Sequence, residues 1–84
     1  MQQTRSYRGI SVRMAIGYLE NLGGEQVDDR TVEGDGWRAE LSEEKVAVGP
    51  SLQLNEVTVT FEGGENRLES LVEQFTQKAI RAGG

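Results

Sequence analysis

The sequence predicts an α+β fold of order β-α-β-β-β-β-α, a mostly antiparallel sheet with both helices on one face. Three observations lead there. Apolar residues recur with a helical period near both ends of the chain, over residues 11–22 and 67–82. Between them the period falls to two, as in strands with one face in a core. Glycine pairs and a single proline punctuate these segments, and a sheet covered by helices on one side buries every apolar stripe at once.

Met1 to Thr4 are polar and expected to be disordered, with a short strand over Arg5 to Gly9. Val12, Ala15, Ile16, Leu19 and Leu22 then fall on one helical face. Ser11 is placed to cap that helix, because its hydroxyl can accept from an orphan backbone N–H. Gly23-Gly24 supplies a left-handed stop. Gly17, in mid-helix, costs about 1 kcal/mol relative to alanine; its expected use is close approach to a strand beneath.

Gln26 to Glu33 reads as a weaker strand, and Gly34-Asp35-Gly36 as a turn. Trp37, Ala39 and Leu41 alternate with Arg38, Glu40 and Ser42, which puts Trp37 in the core or at its rim. Ser42 to Lys45 is expected to be a polar connection into a strand Val46-Ala47-Val48, broken by Gly49-Pro50. Leu52 and Leu54 share one parity, whereas Val57, Val59 and Phe61 share the other. Either a bulge or a turn near Asn55-Glu56 would reconcile them, and a bulge within one long strand 51–62 is preferred. Gly63-Gly64 ends that strand.

The second helix is expected from about Arg67 to about Ala82. Leu68, Leu71, Val72, Phe75 and Ala79 form its stripe, extended by Ile80 at the edge. Asn66 and Glu69 have the spacing of a capping box. Lys78 and Arg81 suit the negative end of the helix dipole. The uncovered sheet face would carry Arg38, Glu40, Thr58 and Thr60, suited to solvent or a polar partner.

At 84 residues the chain is read as a single domain, 1–84. A domain of this size has little room for an enclosed pocket of a few hundred Å³, so a groove, an edge or a tail is the expected working part. The formal net charge is −5, and only Arg5, Arg8 and Arg13 among the basic residues lie close together. Phosphate backbones need clustered positive charge, so no nucleic-acid partner is expected. Only two residues are lysine, against eleven glutamates. That balance suits a salt-rich cytoplasm, or equally an ordinary acidic domain.

The sequence contains no cysteine and no histidine. Thiol and imidazole chemistry is thereby removed, including Cys-His and Ser-His catalysis and the common zinc sites. The numerous carboxylates, Asp28-Asp29 and Glu43-Glu44 among them, match no ligand-loop spacing and read as a solvated surface. The glycine pairs match no phosphate-binding pattern. The reading is therefore not an enzyme, with no metal or other cofactor. With no signal peptide and no apolar run near the roughly 18 residues a span needs, no membrane role and a cytoplasmic location are expected.

Gly83-Gly84 is the position where a reaction can be named. Lacking Cβ atoms, a terminal diglycine can thread a narrow channel in conformations other residues resist. Its carboxylate could then be adenylated by an ATP-dependent activating enzyme, leading to a thiocarboxylate or to an isopeptide with a lysine. The tail resembles those of ubiquitin-like modifiers and sulfur carriers, including small archaeal modifiers and the molybdopterin synthase small subunit. Gly83 and Gly84 are thus the candidate conjugation or thiocarboxylate terminus. The alternative is that Gly83 only ends the last helix.

A wider resemblance rests on Tyr7-Arg8-Gly9-Ile10-Ser11, Ala15 to Gly24, Trp37-Arg38-Ala39, Val48-Gly49-Pro50, Leu54 to Gly63, and Lys78 to Gly84. Together these are similar to the MoaD-related C-terminal domain family, which occurs in halophilic archaea as a stand-alone protein. The resemblance implies a β-α-β(4)-α fold of the TATA-binding-protein-like kind. It also implies a protein partner in molybdenum-cofactor or sulfur metabolism, while the tail adds an adenylating enzyme as the expected partner; the family gives no active-site residues to carry over. Two functions are therefore expected: from the tail, a modifier or sulfur carrier activated at Gly84; alternatively, an accessory module that binds a partner through its sheet face or edge.

Overall fold

The computed structural model describes residues 1–83. Its elements run β1 (Gln2–Arg8), α1 (Val12–Asn21), β2 (Glu25–Asp28), β3 (Thr31–Gly34), β4 (Trp37–Ala47), β5 (Gln53–Gly63) and α2 (Glu65–Gly83). The order is the expected β-α-β-β-β-β-α, and every strand pairing is antiparallel. The strands lie in the order β1-β5-β4-β3-β2. Helix α1 therefore carries the chain from one edge of the sheet to the other, and a meander brings it back beside β1.

Both helices cover one face. Ala15, Ile16 and Leu19 of α1 meet Leu68, Leu71, Val72, Phe75 and Ala79 of α2 over Val32, Trp37, Ala39, Leu41, Val57, Val59 and Phe61 of the sheet. All of these are buried, as the two periodicities require. The start of α1 is doubly capped. The Met14 N–H donates to Ser11 Oγ at 3.2 Å, and the Val12 N–H donates to Glu43 Oε1 at 2.7 Å. Gly23, at φ +97°, turns the chain off the helix, and the Gly24 N–H closes back on the Leu19 carbonyl at 2.9 Å.

Several boundaries differ from expectation. Strand β1 begins at Gln2, so the segment expected to be disordered is paired, with Gln2 opposite Glu62 and Thr4 opposite Thr60. The single strand expected over 26–33 is a hairpin. The Arg30 N–H donates to Asp28 Oδ1 at 2.9 Å, an Asx turn that reverses the chain. This hydrogen bond is the main reason the Asp28 carboxyl titrates below its usual range. Conversely, the connection expected at 42–45 is continuous strand, from Trp37 opposite Gly63 to Ala47 opposite Gln53.

No bulge interrupts β5, whose pairings with β4 and β1 both keep one register throughout. Helix α2 starts at Glu65 rather than at about Arg67. Its first turn closes when the Leu68 N–H meets the Gly64 carbonyl at 2.9 Å, which leaves Asn66 inside the helix and not at its cap. Gly17 approaches nothing: a Cβ there would meet no atom within 4 Å.

Tyr7 ties β1 to α2. Its hydroxyl shares a 2.8 Å hydrogen bond with Thr76 Oγ1, and its ring meets Phe75 edge-on at 5.0 Å. Burial of the phenol raises its pKa above the ordinary 10.0, outweighing the opposing effects of the Thr76 hydroxyl and Arg5.

Candidate functional site

The two candidate terminal residues fall on either side of the described boundary. Gly83 is the last residue of α2, so the helix runs on through the first of the two glycines; Gly84 lies outside the described residues. The apolar stripe of α2 ends earlier. Ala79 is buried, whereas Ile80, expected at the edge of the stripe, is 63% exposed and Arg81 is exposed too. Ile80 and Arg81 thus add little packing beyond Ala79, and few buried contacts are the condition under which helix segments open most readily.

A second feature lies at the far end of the β4–β5 pair. From Trp37 to Leu41 and from Val57 to Phe61, the apolar side chains point at the helices. Beyond Glu43 and Val57 both strands change character together. Their helix-side positions become Lys45 and Ala47 opposite Asn55 and Gln53, while Val46 and Leu54 face each other on the opposite side. The Val48 N–H donates to the Leu52 carbonyl at 2.9 Å, which carries this pairing one step further. Val48, Leu52 and Leu54 are 39%, 58% and 38% exposed.

The parity change in the sequence is therefore not a bulge. It is a regular hairpin arm whose apolar side is the open face of the sheet. Leu52 and Leu54 belong to that side together with Val46 and Val48. Sequence reasoning missed this strip because it divided β4 at 42–45 and so hid the matching change of parity in the partner strand. Read as one strand, 37–48 shows Leu41 and Val46 on opposite faces.

The remainder of the open face is polar. Ser6 Oγ and Thr58 Oγ1 share a 3.1 Å hydrogen bond, and Arg38 bridges Glu33 at 2.9 Å and Glu40 at 3.5 Å. Arg8 pairs with Glu56 at 3.1 Å, and Glu44 stands directly opposite Glu56. The aliphatic strip is thus bordered, on the side nearest the sheet, by Glu44 and the Arg8–Glu56 ion pair. The expected placement of Arg38, Glu40, Thr58 and Thr60 on this face holds.

The three arginines close in sequence are dispersed by the fold. Arg5 lies on the helix side next to α2, Arg8 lies on the open face, and Arg13 lies on α1 with Glu20 and Asp29 in a groove of about 600 Å³. No group of three or more acidic side chains among the described residues is arranged to hold a metal ion. Trp37 is buried and so offers no stacking platform. No described helix is long and apolar enough to cross a membrane.

The archaeal MoaD-like protein family matches residues 3–84, which takes in both helices, all five strands and the diglycine. No curated protein matches the chain. With nearly its whole length matched, the chain belongs to the archaeal MoaD-like protein family.

Proposed function

We propose that this protein is a non-catalytic accessory module of molybdopterin-related sulfur metabolism that works by docking onto another protein. The observation that carries this reading is the aliphatic strip Val46, Val48, Leu52 and Leu54 on the β4–β5 arm. Burying exposed aliphatic surface is worth about 25 cal/mol per Å², and such patches on small proteins mark interaction sites. Glu44, beside the Arg8–Glu56 ion pair, suits a partner whose apolar groove has a cation at its rim.

The carrier reading is the second, and the weakly packed end of α2 favours it. If the helix opens after Ala79, residues 80–84 reach about 17 Å when extended. That length can present a carboxylate to an adenylating enzyme. The reading requires unwinding first, because α2 continues through Gly83.

One experiment separates them. The protein is incubated with the host's activating enzyme, ATP and a sulfur donor, beside a known carrier from the same host. The intact mass of the accessory module should stay unchanged while the control becomes a thiocarboxylate. A thiocarboxylate or a lysine conjugate at Gly84 would overturn the first reading in favour of the second.

A further inference from the structure

We propose that β1 is a dimerisation edge: two copies pair antiparallel through it, Thr4 opposite Thr4 on a two-fold axis, joining their sheets into one. Strand β1 is an outermost strand of the sheet. Met1 and Gly63 exchange both backbone hydrogen bonds, at 3.0 and 3.1 Å, and the Gly9 N–H donates to the Asn55 carbonyl at 2.9 Å. In an antiparallel ladder such pairs alternate. Odd-numbered residues of β1 therefore face β5, and the N–H and C=O groups of Gln2, Thr4, Ser6 and Arg8 point outward.

Of the usual edge protections this strand carries only charge, at Arg5 and Arg8. It is seven residues long, keeps one register with β5 and contains no proline. The opposite edge, β2, is short, acidic and interrupted between Gln26 and Asp28, so it is blunted.

The charges beside β1 complement themselves. Gln3 and Arg5 form one wall of a groove of about 470 Å³, and Glu69, Val72, Glu73, Thr76 and Gln77 of α2 form the other. Arg5 donates only to Gln3 Oε1, at 3.4 Å, and makes no ion pair among the described residues. Across a two-fold axis the positive wall of one copy meets the acidic helix of the other, as an isologous interface requires. Full overlap of the strands would set Arg5 against Arg5. Moving the axis to Thr4 sets Arg5 against Gln3, takes the two arginines out of direct opposition and leaves only Arg8 without a residue across from it.

Sedimentation of the intact chain at tens of micromolar should give twice the chain mass. Thr4→Pro should give a monomer with an unchanged circular dichroism spectrum, because the Thr4 N–H serves no bond inside the monomer and proline is tolerated at such edge positions. A second variant fixes the register. The chain has no cysteine, and opposed residues in a hydrogen-bonded pair lie about 5.5 Å apart at Cα, within disulfide reach. Mild oxidation should therefore link Thr4→Cys into a covalent dimer and leave Ser6→Cys, which faces Gln2, unlinked. A native chain that stays monomeric up to about millimolar, a dimeric Thr4→Pro, or cross-linking of Ser6→Cys in place of Thr4→Cys each overturns the proposal. None of these outcomes bears on the aliphatic arm or on Gly84.

Discussion

Replacing Phe75 with alanine should destabilise the protein by about 3–5 kcal/mol, close to the whole stability of a domain this small. Phe75 is fully buried on α2. Its ring meets Tyr7 at 5.0 Å, Tyr18 at 6.0 Å and Phe61 at 5.6 Å, each edge-on. Every tyrosine and phenylalanine in the chain therefore converges on this one side chain. Truncation removes three aromatic pairs and leaves a cavity between β1, α1, β5 and α2, whose backbones cannot all close in on it. Urea unfolding checks this. The variant should be substantially unfolded in buffer or lose most of its midpoint, while Phe75→Leu, which keeps most of the volume, should lose far less. A loss below about 1 kcal/mol for the alanine variant would mean that the core closes over the gap.

Convergence on Phe75 was only partly legible in the sequence. That Leu68, Leu71, Val72, Phe75 and Ala79 share a face follows from helical spacing, and that Phe61 points inward follows from strand alternation. Periodicity orients a residue within its own element. It does not say which residues of distant elements touch, so Tyr7 and Tyr18 meeting Phe75 needed the packed structure. The same limit explains the strand boundaries. Glu43, Glu44 and Lys45 look like a connection because charged runs are usually solvated. Here they sit in the ladder, with Glu43 turned toward α1 to accept from the Val12 N–H. The hairpin at Asp28 to Thr31 was hidden for the opposite reason: its turn is made by an aspartate side chain and carries no glycine.

The working surfaces divide in the same way. Gly83-Gly84 stands out in the sequence because position and residue type coincide, but that reading says nothing of the helix that continues through Gly83. The aliphatic arm was present in the sequence as a parity mismatch between Leu52/Leu54 and Val57/Val59. A mismatch has two physical solutions, a slipped register or apolar residues on both faces, and alternation alone does not choose between them. The choice became visible when Val46 was found opposite Leu54 in an unbroken ladder.

Glycine identity hides its purpose in sequence as well, and Gly34→Ala should expose it with a loss of about 3 kcal/mol, the upper end of the range for overpacking a filled core. Gly34 reads as a turn residue, yet its φ is not positive; the left-handed residue of that turn is Gly36, at φ +80°. Gly34 is there for space. A Cβ on it would overlap Cε2, Nε1 and Cζ2 of the Trp37 indole. Next to it, where the β2–β3 register continues, a Cβ on Gly24 would come within 2.6 Å of Trp37 Cη2 and of Val32 Cγ1. The indole thus lies in a slot floored by two neighbouring glycines, and a methyl group on Gly34 would meet the middle of its rigid ring system. Trp37 is the only tryptophan, so its emission reports the outcome directly. Native Gly34→Ala should emit at longer wavelength and unfold at lower urea. Unchanged emission together with an unchanged midpoint would show that the slot has room after all. Gly17→Ala is the contrasting case. With open space around its Cβ position and a helical backbone, it should raise stability by about 0.5–1 kcal/mol. The same exchange of a hydrogen for a methyl group then carries opposite signs at two glycines, decided by what stands beside each.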